Sequence, residues 1–161
     1  MIKLLLISTW FQIIWLMAVI GAESLQWLTL ACVLVTYAIE RLSQGTKLAP
    51  LLLIAAVGIV LDNVNHSIGV IEFSDNRFPL WLAALWFAFA WFAYYLAELV
   101  RRYPLRYVAL AGGIAGAASY FTGAQLGDVL LREPLFWTLA ILMVQWLGVI
   151  WLILKVYRYE E

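Results

Sequence analysis

The sequence of 161 residues has little charge and few cysteines, histidines and prolines. Its one cysteine, Cys32, excludes an intramolecular disulfide, and no Cys/His spacing suits zinc. Its one histidine, His66, excludes a haem held by two histidines of the chain and the histidine-rich clusters of a di-iron membrane desaturase. Only 12% of the residues are charged, whereas a soluble domain has about a quarter. A water-soluble globule is therefore excluded.

An excess of charge of one sign is also missing, because ten basic residues balance ten acidic ones. A nucleic-acid-binding protein needs a net basic face, so we expect no nucleic-acid partner. The chain also lacks a Gly-x-Ser-x-Gly nucleophile motif, an HExxH zinc motif, a phosphate-binding loop and a dinucleotide fingerprint. No motif therefore predicts a metal, a cofactor or a familiar catalytic reaction.

Apolar residues make up 66% of the chain, and the mean hydropathy is +0.94. They fall into six runs, most of which reach the about 17–25 residues that cross the hydrocarbon as a helix. The runs show no alternation with a period of two, so strands are not expected. The sequence predicts an all-α membrane protein, a single domain over residues 1–161, folded as a compact bundle of six transmembrane helices. These cover residues 4–22, 25–39, 48–71, 79–100, 107–131 and 135–154.

The first two runs are separated by only a few residues, Gly21 to Ser24, so they are predicted to form a tight helical hairpin. The first run is long for a signal peptide, which favours a membrane span. The second run is short because Glu23 and Glu40 bound it. Whether it crosses the membrane completely is an open question at this point.

Basic residues collect on one side of the predicted membrane arrangement. With six spans, the two termini and the loops around Arg41 and Arg101 share that side. It holds eight of the ten bases: Lys3, Arg41, Lys47, Arg101, Arg102, Arg106, Lys155 and Arg158. The opposite side holds only Arg77 and Arg132. Because basic loops stay in the cytoplasm, both termini are predicted to be cytoplasmic.

The third run contains the polar residues that could carry chemistry. Asp62 and His66 are four residues apart and so share a helix face, with Asn65 beside them. A charged carboxylate in hydrocarbon costs several kcal/mol, so Asp62 should face the bundle interior and find a partner. An Asp–His pair suits proton transfer, because imidazole titrates near neutrality. The same pair could instead be structural and hold helices together.

Depth in the membrane indicates a partner for Asp62. At about 1.5 Å per residue, Asp62 and Tyr120 lie roughly 21 Å and 20 Å from the cytoplasmic ends of their helices. Trp86 lies about 10 Å from the outer end of the fourth run, which is the same layer in a core of about 30 Å. We therefore predict a site in the outer half of the membrane, where Tyr120 hydrogen-bonds Asp62 and Trp86 walls a cavity.

Aromatic rings in the fourth run extend this site. Trp86 and Phe89 lie too deep for the interfacial aromatic belt, so they either pack in the core or line an apolar pocket. The candidate ligand-binding residues are Asp62, Asn65, His66, Trp86, Phe89, Tyr120 and Gly123. The candidate catalytic residues are Asp62, His66 and Tyr120.

Small residues form one stripe along the fifth run. Gly112 and Gly116 are four residues apart, as are Gly123 and Gly127, which is the small-xxx-small spacing of closely packed helices. Packing against another helix of the chain is the favoured role of Gly112, Gly116 and Gly127. Self-association and a ligand groove are the alternatives.

Several motifs of the third to fifth runs occur together: Gly58-x-x-x-Asp62, Gly69 and Phe73, Pro79-x-Trp81, Leu85-Trp86-x-x-Phe89, and Gly116-x-x-x-Tyr120-x-x-Gly123-x-x-x-Gly127. With a looser Phe11-Gln12-x-x-Trp15, the set resembles an uncharacterised family of small bacterial inner-membrane proteins, a domain of unknown function. Ala117 stands where the family pattern has proline. The resemblance implies the inner membrane of a Gram-negative bacterium and a link to lipid, because such proteins are often encoded near fatty-acid-modifying enzymes. It implies no activity.

Three functions are compatible with these residues. The first is a binding or accessory protein whose cavity holds a lipid-like ligand or a partner subunit. The second is a small membrane enzyme acting on a lipid, with Asp62 and His66 as the acid–base pair and Tyr120 as a donor. The third is a proton-coupled carrier, expected as an oligomer because six short helices leave little room for a pathway. Membrane lipid is the expected partner, with a membrane protein or a second copy of the chain as alternatives.

Overall fold

Helices dominate the computed structural model, which describes residues 2–73, 77–126, 129–132 and 134–157. Within those ranges the elements in chain order are α1 (Ile2–Gln44), α2 (Leu48–Ser67), β1 (Ile71–Phe73), α3 (Leu80–Val100), α4 (Leu105–Leu126), β2 (Val129–Leu131) and α5 (Leu135–Val156). The helical fold class is confirmed. The predicted fourth and sixth runs agree with α3 and α5 to within two residues at each end.

Four described helices, α1, α2, α3 and α5, are each long and apolar enough to cross a membrane. α4 has a similar length, 22 residues. It is less apolar because glycine, alanine and serine occupy many positions that hold leucine, isoleucine or tryptophan in α5. By length and composition, four helices in the described part of the chain could therefore cross a membrane.

The helix α1 consists of two halves that meet at Ala22, where the backbone leaves helical geometry (φ 38°, ψ −121°). In a straight helix, Trp10 and Thr36 would be about 39 Å apart. Instead, the indole Nε1 of Trp10 donates to Thr36 Oγ1 at 2.9 Å. Residues 2–21 and 23–44 therefore fold back on each other. The predicted tight hairpin is confirmed, and its second half continues past the predicted end at residue 39 to Gln44.

The chain divides into two compact units. Unit 1 comprises the described residues of 1–59 and 79–96, and unit 2 those of 60–78 and 97–157. In unit 1 the Phe11 and Phe92 rings stack with centroids 4.5 Å apart, and Tyr37 Oη donates to the Phe87 carbonyl at 2.9 Å. Small residues of α3 complete this core: Ala84, Ala88, Ala90 and Ala93.

In unit 2, α4 packs on α5 through the predicted glycine stripe. A Cβ at Gly112 would lie 2.6 Å from Ile150 Cγ1, and one at Gly116 would overlap the Trp146 indole. These contacts show that the helices run antiparallel, because four residues forward on α4 correspond to four residues backward on α5. Gly112 and Gly116 thus lie where α4 contacts α5, whereas Gly127 lies outside the described residues.

A short strand pair at one end of unit 2 corrects the predicted helix ends. β1 and β2 pair antiparallel, with Ile71 opposite Leu131 and Phe73 opposite Val129. The predicted helices over 48–71 and 107–131 overshoot, because α2 ends at Ser67 and α4 at Leu126. Gly69, with φ +73°, lets the chain turn after α2. The expectation of no strands was wrong here, since Ile71 and Leu131 continue apolar runs and hydropathy does not distinguish a short strand from a helix end.

Candidate functional site

Two polar side chains of α2 are buried in unit 2. Asp62 and Asn65 each expose 1% of their surface. They are three residues apart, so they lie on one helix face. Leaving a buried amide or hydroxyl without a hydrogen bond costs about 1–3 kcal/mol, and leaving a charge unpaired costs more. Their hydrogen-bond partners therefore define what this face of α2 can do.

Asp62 is hydrogen-bonded to Tyr120 of α4. The phenol oxygen of Tyr120 donates to Asp62 Oδ1 at 2.5 Å, within the short range typical of a hydroxyl that meets a carboxylate. The predicted pairing of these two residues is confirmed. The bond joins α2 to α4 and sets an acidic and a phenolic group side by side.

Asn65 forms a reciprocal amide pair with Gln145 of α5. The Asn65 amide nitrogen donates to Gln145 Oε1 at 2.8 Å, and the Gln145 amide nitrogen donates to Asn65 Oδ1 at 2.7 Å. Each side chain thus donates once and accepts once. This neutral pair joins α2 to α5, so α2 is connected to both helices of the α4–α5 pair through polar groups.

His66 belongs to the turn that follows α2. Its Nδ1 lies 3.4 Å from the Ile71 carbonyl oxygen, and its ring centroid lies 5.0 Å from that of Phe73. Among the described residues, the contacts of His66 are therefore with Ile71 and Phe73. The structure brings Asp62 and Tyr120 together, and it directs His66 toward the strand pair instead.

The predicted aromatic residues of the site belong to unit 1. Trp86 is 5% exposed and packs against Gly58, where the indole fills the space that a Cβ would occupy. Its ring meets Phe89 edge-on with centroids 5.7 Å apart. These contacts are those of core packing. The further role of Trp86 and Phe89 in lining a cavity stays a prediction, as does the ligand-binding role of the buried Gly123.

A second buried acid, Glu40, was not recognised from the sequence as part of a site. Glu40 is 6% exposed. Its Oε1 accepts from Thr46 Oγ1 at 2.7 Å and from Tyr95 Oη at 2.6 Å, and its Oε2 accepts from Trp91 Nε1 at 3.0 Å. Lys3 lies close by, with its ammonium 4.9 Å from the centre of the Tyr95 ring. The spacing of Trp91 and Tyr95, four apart on one face of α3, was the available signal.

No group of three or more His, Cys, Asp or Glu side chains that could hold a metal ion occurs within the part of the chain that the structure describes. The carboxyl group of Asp62 and the phenol of Tyr120 are groups that form hydrogen bonds. Such a pair can accept from or donate to the polar end of another molecule.

The fold and these residues define a class: a helical protein with apolar helices of membrane-crossing length and a buried acid–phenol pair. The chain belongs to the family described as protein of unknown function (DUF2878), whose model matches residues 4–152. The resemblance drawn from the sequence motifs to a domain of unknown function is thereby confirmed. No curated protein and no solved structure matches the chain.

Proposed function

We propose that the protein crosses the bacterial inner membrane six times with both termini in the cytoplasm. The two halves of α1 fold back on each other and can supply two crossings. The 22 residues of α4 span about 33 Å, which suffices for a hydrocarbon core of about 30 Å. In this arrangement eight of the ten bases lie on one side, as the positive-inside rule requires.

Within that arrangement, we propose a binding or accessory protein whose ligand is lipid-like, with a polar head that is held at Asp62 and Tyr120. The observation that carries the proposal is the hydrogen bond between these buried side chains. An ionisable side chain inside a membrane is costly, and function is the usual reason to retain it. The neighbouring Asn65–Gln145 pair already joins helices with neutral groups, so helix association alone does not require an acid at position 62.

The position of His66 favours binding over acid–base catalysis. An enzyme built on Asp62 and His66 would need the carboxylate to orient the imidazole. The contacts of His66 are with Ile71 and Phe73, while Asp62 accepts from Tyr120. A carboxylate oxygen can accept from more than one donor, and a hydroxyl or an amine is therefore the ligand head that we propose for this pair.

Mass spectrometry of lipids that co-purify in mild detergent tests this proposal. The wild-type protein should carry one lipid class in a fixed ratio to protein. Asp62→Asn and Tyr120→Phe should lower that ratio about tenfold, since a hydrogen bond to a charged group contributes about 1.5–3 kcal/mol. Leu110→Ala is the matched control, because Leu110 is 47% exposed on α4.

Equal amounts of lipid in all four proteins would contradict a ligand at Asp62. A membrane protein that co-purifies with every variant, in place of lipid, would assign the chain to the scaffolding of a complex. A second copy of the chain in that role would be seen as an oligomer by native mass spectrometry.

A further inference from the structure

The segment between α3 and the first turn of α4 carries the densest run of positive charge in the described chain. Residues 101–107 read Arg-Arg-Tyr-Pro-Leu-Arg-Tyr, and all seven are exposed. Tyr103 and Tyr107 expose 61% and 58% of their surface. Exposed aromatic rings beside cations are typical of the layer where a membrane meets water.

A further positive charge, Lys155, lies at the same end of unit 2. The antiparallel register of α4 and α5 sets Arg106 level with Val156, the neighbour of Lys155. The Arg101 guanidinium donates to the Tyr157 carbonyl oxygen, which ties the segment to the end of α5. The four cations are therefore grouped at one end of the α4–α5 pair.

Three of these four cations are not neutralised by the described carboxylates. Arg102, Arg106 and Lys155 form no ion pair with any residue that the structure describes. The guanidinium of Arg106 lies 4.8 Å from the centre of the Tyr107 ring, and the Lys155 ammonium lies 4.9 Å from that of Trp151. Aromatic faces hold these cations in place while leaving their charge intact, so the group attracts an anion.

The basic end of unit 2 is defined by Arg101, Arg102, Arg106 and Lys155. We propose that it binds the headgroup phosphate of an anionic phospholipid. A guanidinium presents parallel N–H donors that match two phosphate oxygens, and two exposed arginines four residues apart can approach one phosphate together. The rings of Tyr103 and Tyr107 supply apolar contact for the lipid beside its phosphate, which a free phosphate would not use. The choice of leaflet is the one part of this proposal that depends on the six-crossing arrangement. That arrangement places the bound lipid in the cytoplasmic leaflet.

Native mass spectrometry of the delipidated full chain, titrated with phosphatidylglycerol, tests the proposal. Each arginine near a lipid headgroup contributes about fivefold in affinity. The double variant Arg102→Gln/Arg106→Gln should therefore bind phosphatidylglycerol about thirtyfold more weakly than wild type. Arg101 is kept, because its bond to the Tyr157 carbonyl belongs to the fold. Phosphatidylcholine, which has no net charge, should bind wild type and variant equally weakly.

Arg77→Gln is the matched control, since it removes one exposed arginine outside the basic end of unit 2. It should keep the wild-type affinity, and an excess of inorganic phosphate should not displace the lipid. Wild-type affinity in the double variant, an equal loss in Arg77→Gln, or displacement by inorganic phosphate would each overturn the proposal. If the double variant does not fold, Arg102→Gln alone must show the fivefold loss.

Discussion

At the scale of single residues, the two buried acids Asp62 and Glu40 have different hydrogen-bonding environments. Asp62 in unit 2 accepts from the Tyr120 phenol, and Glu40 in unit 1 accepts from three donors on a loop and on α3. An acid with three donors is satisfied within its own unit, which is the pattern of a structural group. These environments give opposite expectations for substitution of the two acids.

For Asp62 we expect the neutral isostere to be tolerated. The amide oxygen of Asp62→Asn can still accept from Tyr120. The free energy of unfolding of this variant should therefore lie within about 1 kcal/mol of the wild-type value. Asp62→Leu removes the acceptor and leaves the Tyr120 hydroxyl unsatisfied, at a cost of about 1–3 kcal/mol. Thermal unfolding in detergent measures the melting temperatures of both variants. Equal melting temperatures of Asp62→Asn and Asp62→Leu would contradict the Asp62–Tyr120 bond.

For Glu40 we expect any loss of the carboxylate to be costly. Glu40→Ala leaves donors of Thr46, Trp91 and Tyr95 unsatisfied and should lower the free energy of unfolding by about 3 kcal/mol or more. Glu40→Gln keeps one oxygen for two of those donors but leaves the Trp91 donor unsatisfied, and should lose about 1–3 kcal/mol. Unfolding followed by tryptophan fluorescence measures both. Glu98→Gln, on the exposed face of α3, should have no effect, and the account of Glu40 is wrong if Glu40→Ala behaves like it.

At the scale of helices, glycine positions distinguish packed surfaces from open ones. Gly116 of α4 lies against the Trp146 indole, whereas nothing lies within 4 Å of a Cβ built at Gly148 of α5. Gly116→Ala must push the indole away and should destabilise by about 1–3 kcal/mol. Gly148→Ala should be neutral or stabilise by up to about 1 kcal/mol, because alanine favours helix. Melting temperatures of the pair check this, and equal values would mean that α4 and α5 pack through other faces.

The sequence predicts the helices well where composition changes sharply. The prolines at positions 79 and 134 and the charges that bound α3 and α5 set those ends to within two residues. The strand pair is missed because Ile71 and Leu131 continue apolar runs, and hydropathy does not distinguish a strand from the last turn of a helix.

The candidate site was predictable in part, by counting residues along helices. Because the rise per residue of a helix is constant, Asp62 and Tyr120 were predicted to lie at equal depth and to pair. The hydrogen bond between them confirms the pairing. The Asn65–Gln145 pair and the orientation of His66 were not predictable, because they depend on how helices rotate about their axes. Glu40 was overlooked because an acid at the end of an apolar run resembles a solvated boundary residue.

At the scale of the whole molecule, the number of crossings is the property that the proposed site depends on. Alkaline phosphatase is active only outside the cytoplasm, so a fusion after Arg77 should be active and a fusion after Lys47 inactive. This follows if the two halves of α1 each cross the membrane and α2 crosses once more. The reverse pattern would mean that the second half of α1 does not cross, and Asp62 would then lie in the opposite half of the membrane.

The most direct test of the central claim, that Asp62 and Tyr120 hold a lipid-like ligand, is the melting temperature of delipidated protein after native lipid extract is added back. A ligand present at about one hundred times its Kd stabilises the folded state by about 2.7 kcal/mol, which raises the Tm of a chain of this size by roughly 5–10 °C. Wild type and Leu110→Ala should show this rise in full, and Asp62→Asn, although folded, should show at most the smaller part that lipid bound at the basic end of unit 2 supplies. The same rise in Asp62→Asn as in wild type would contradict the claim.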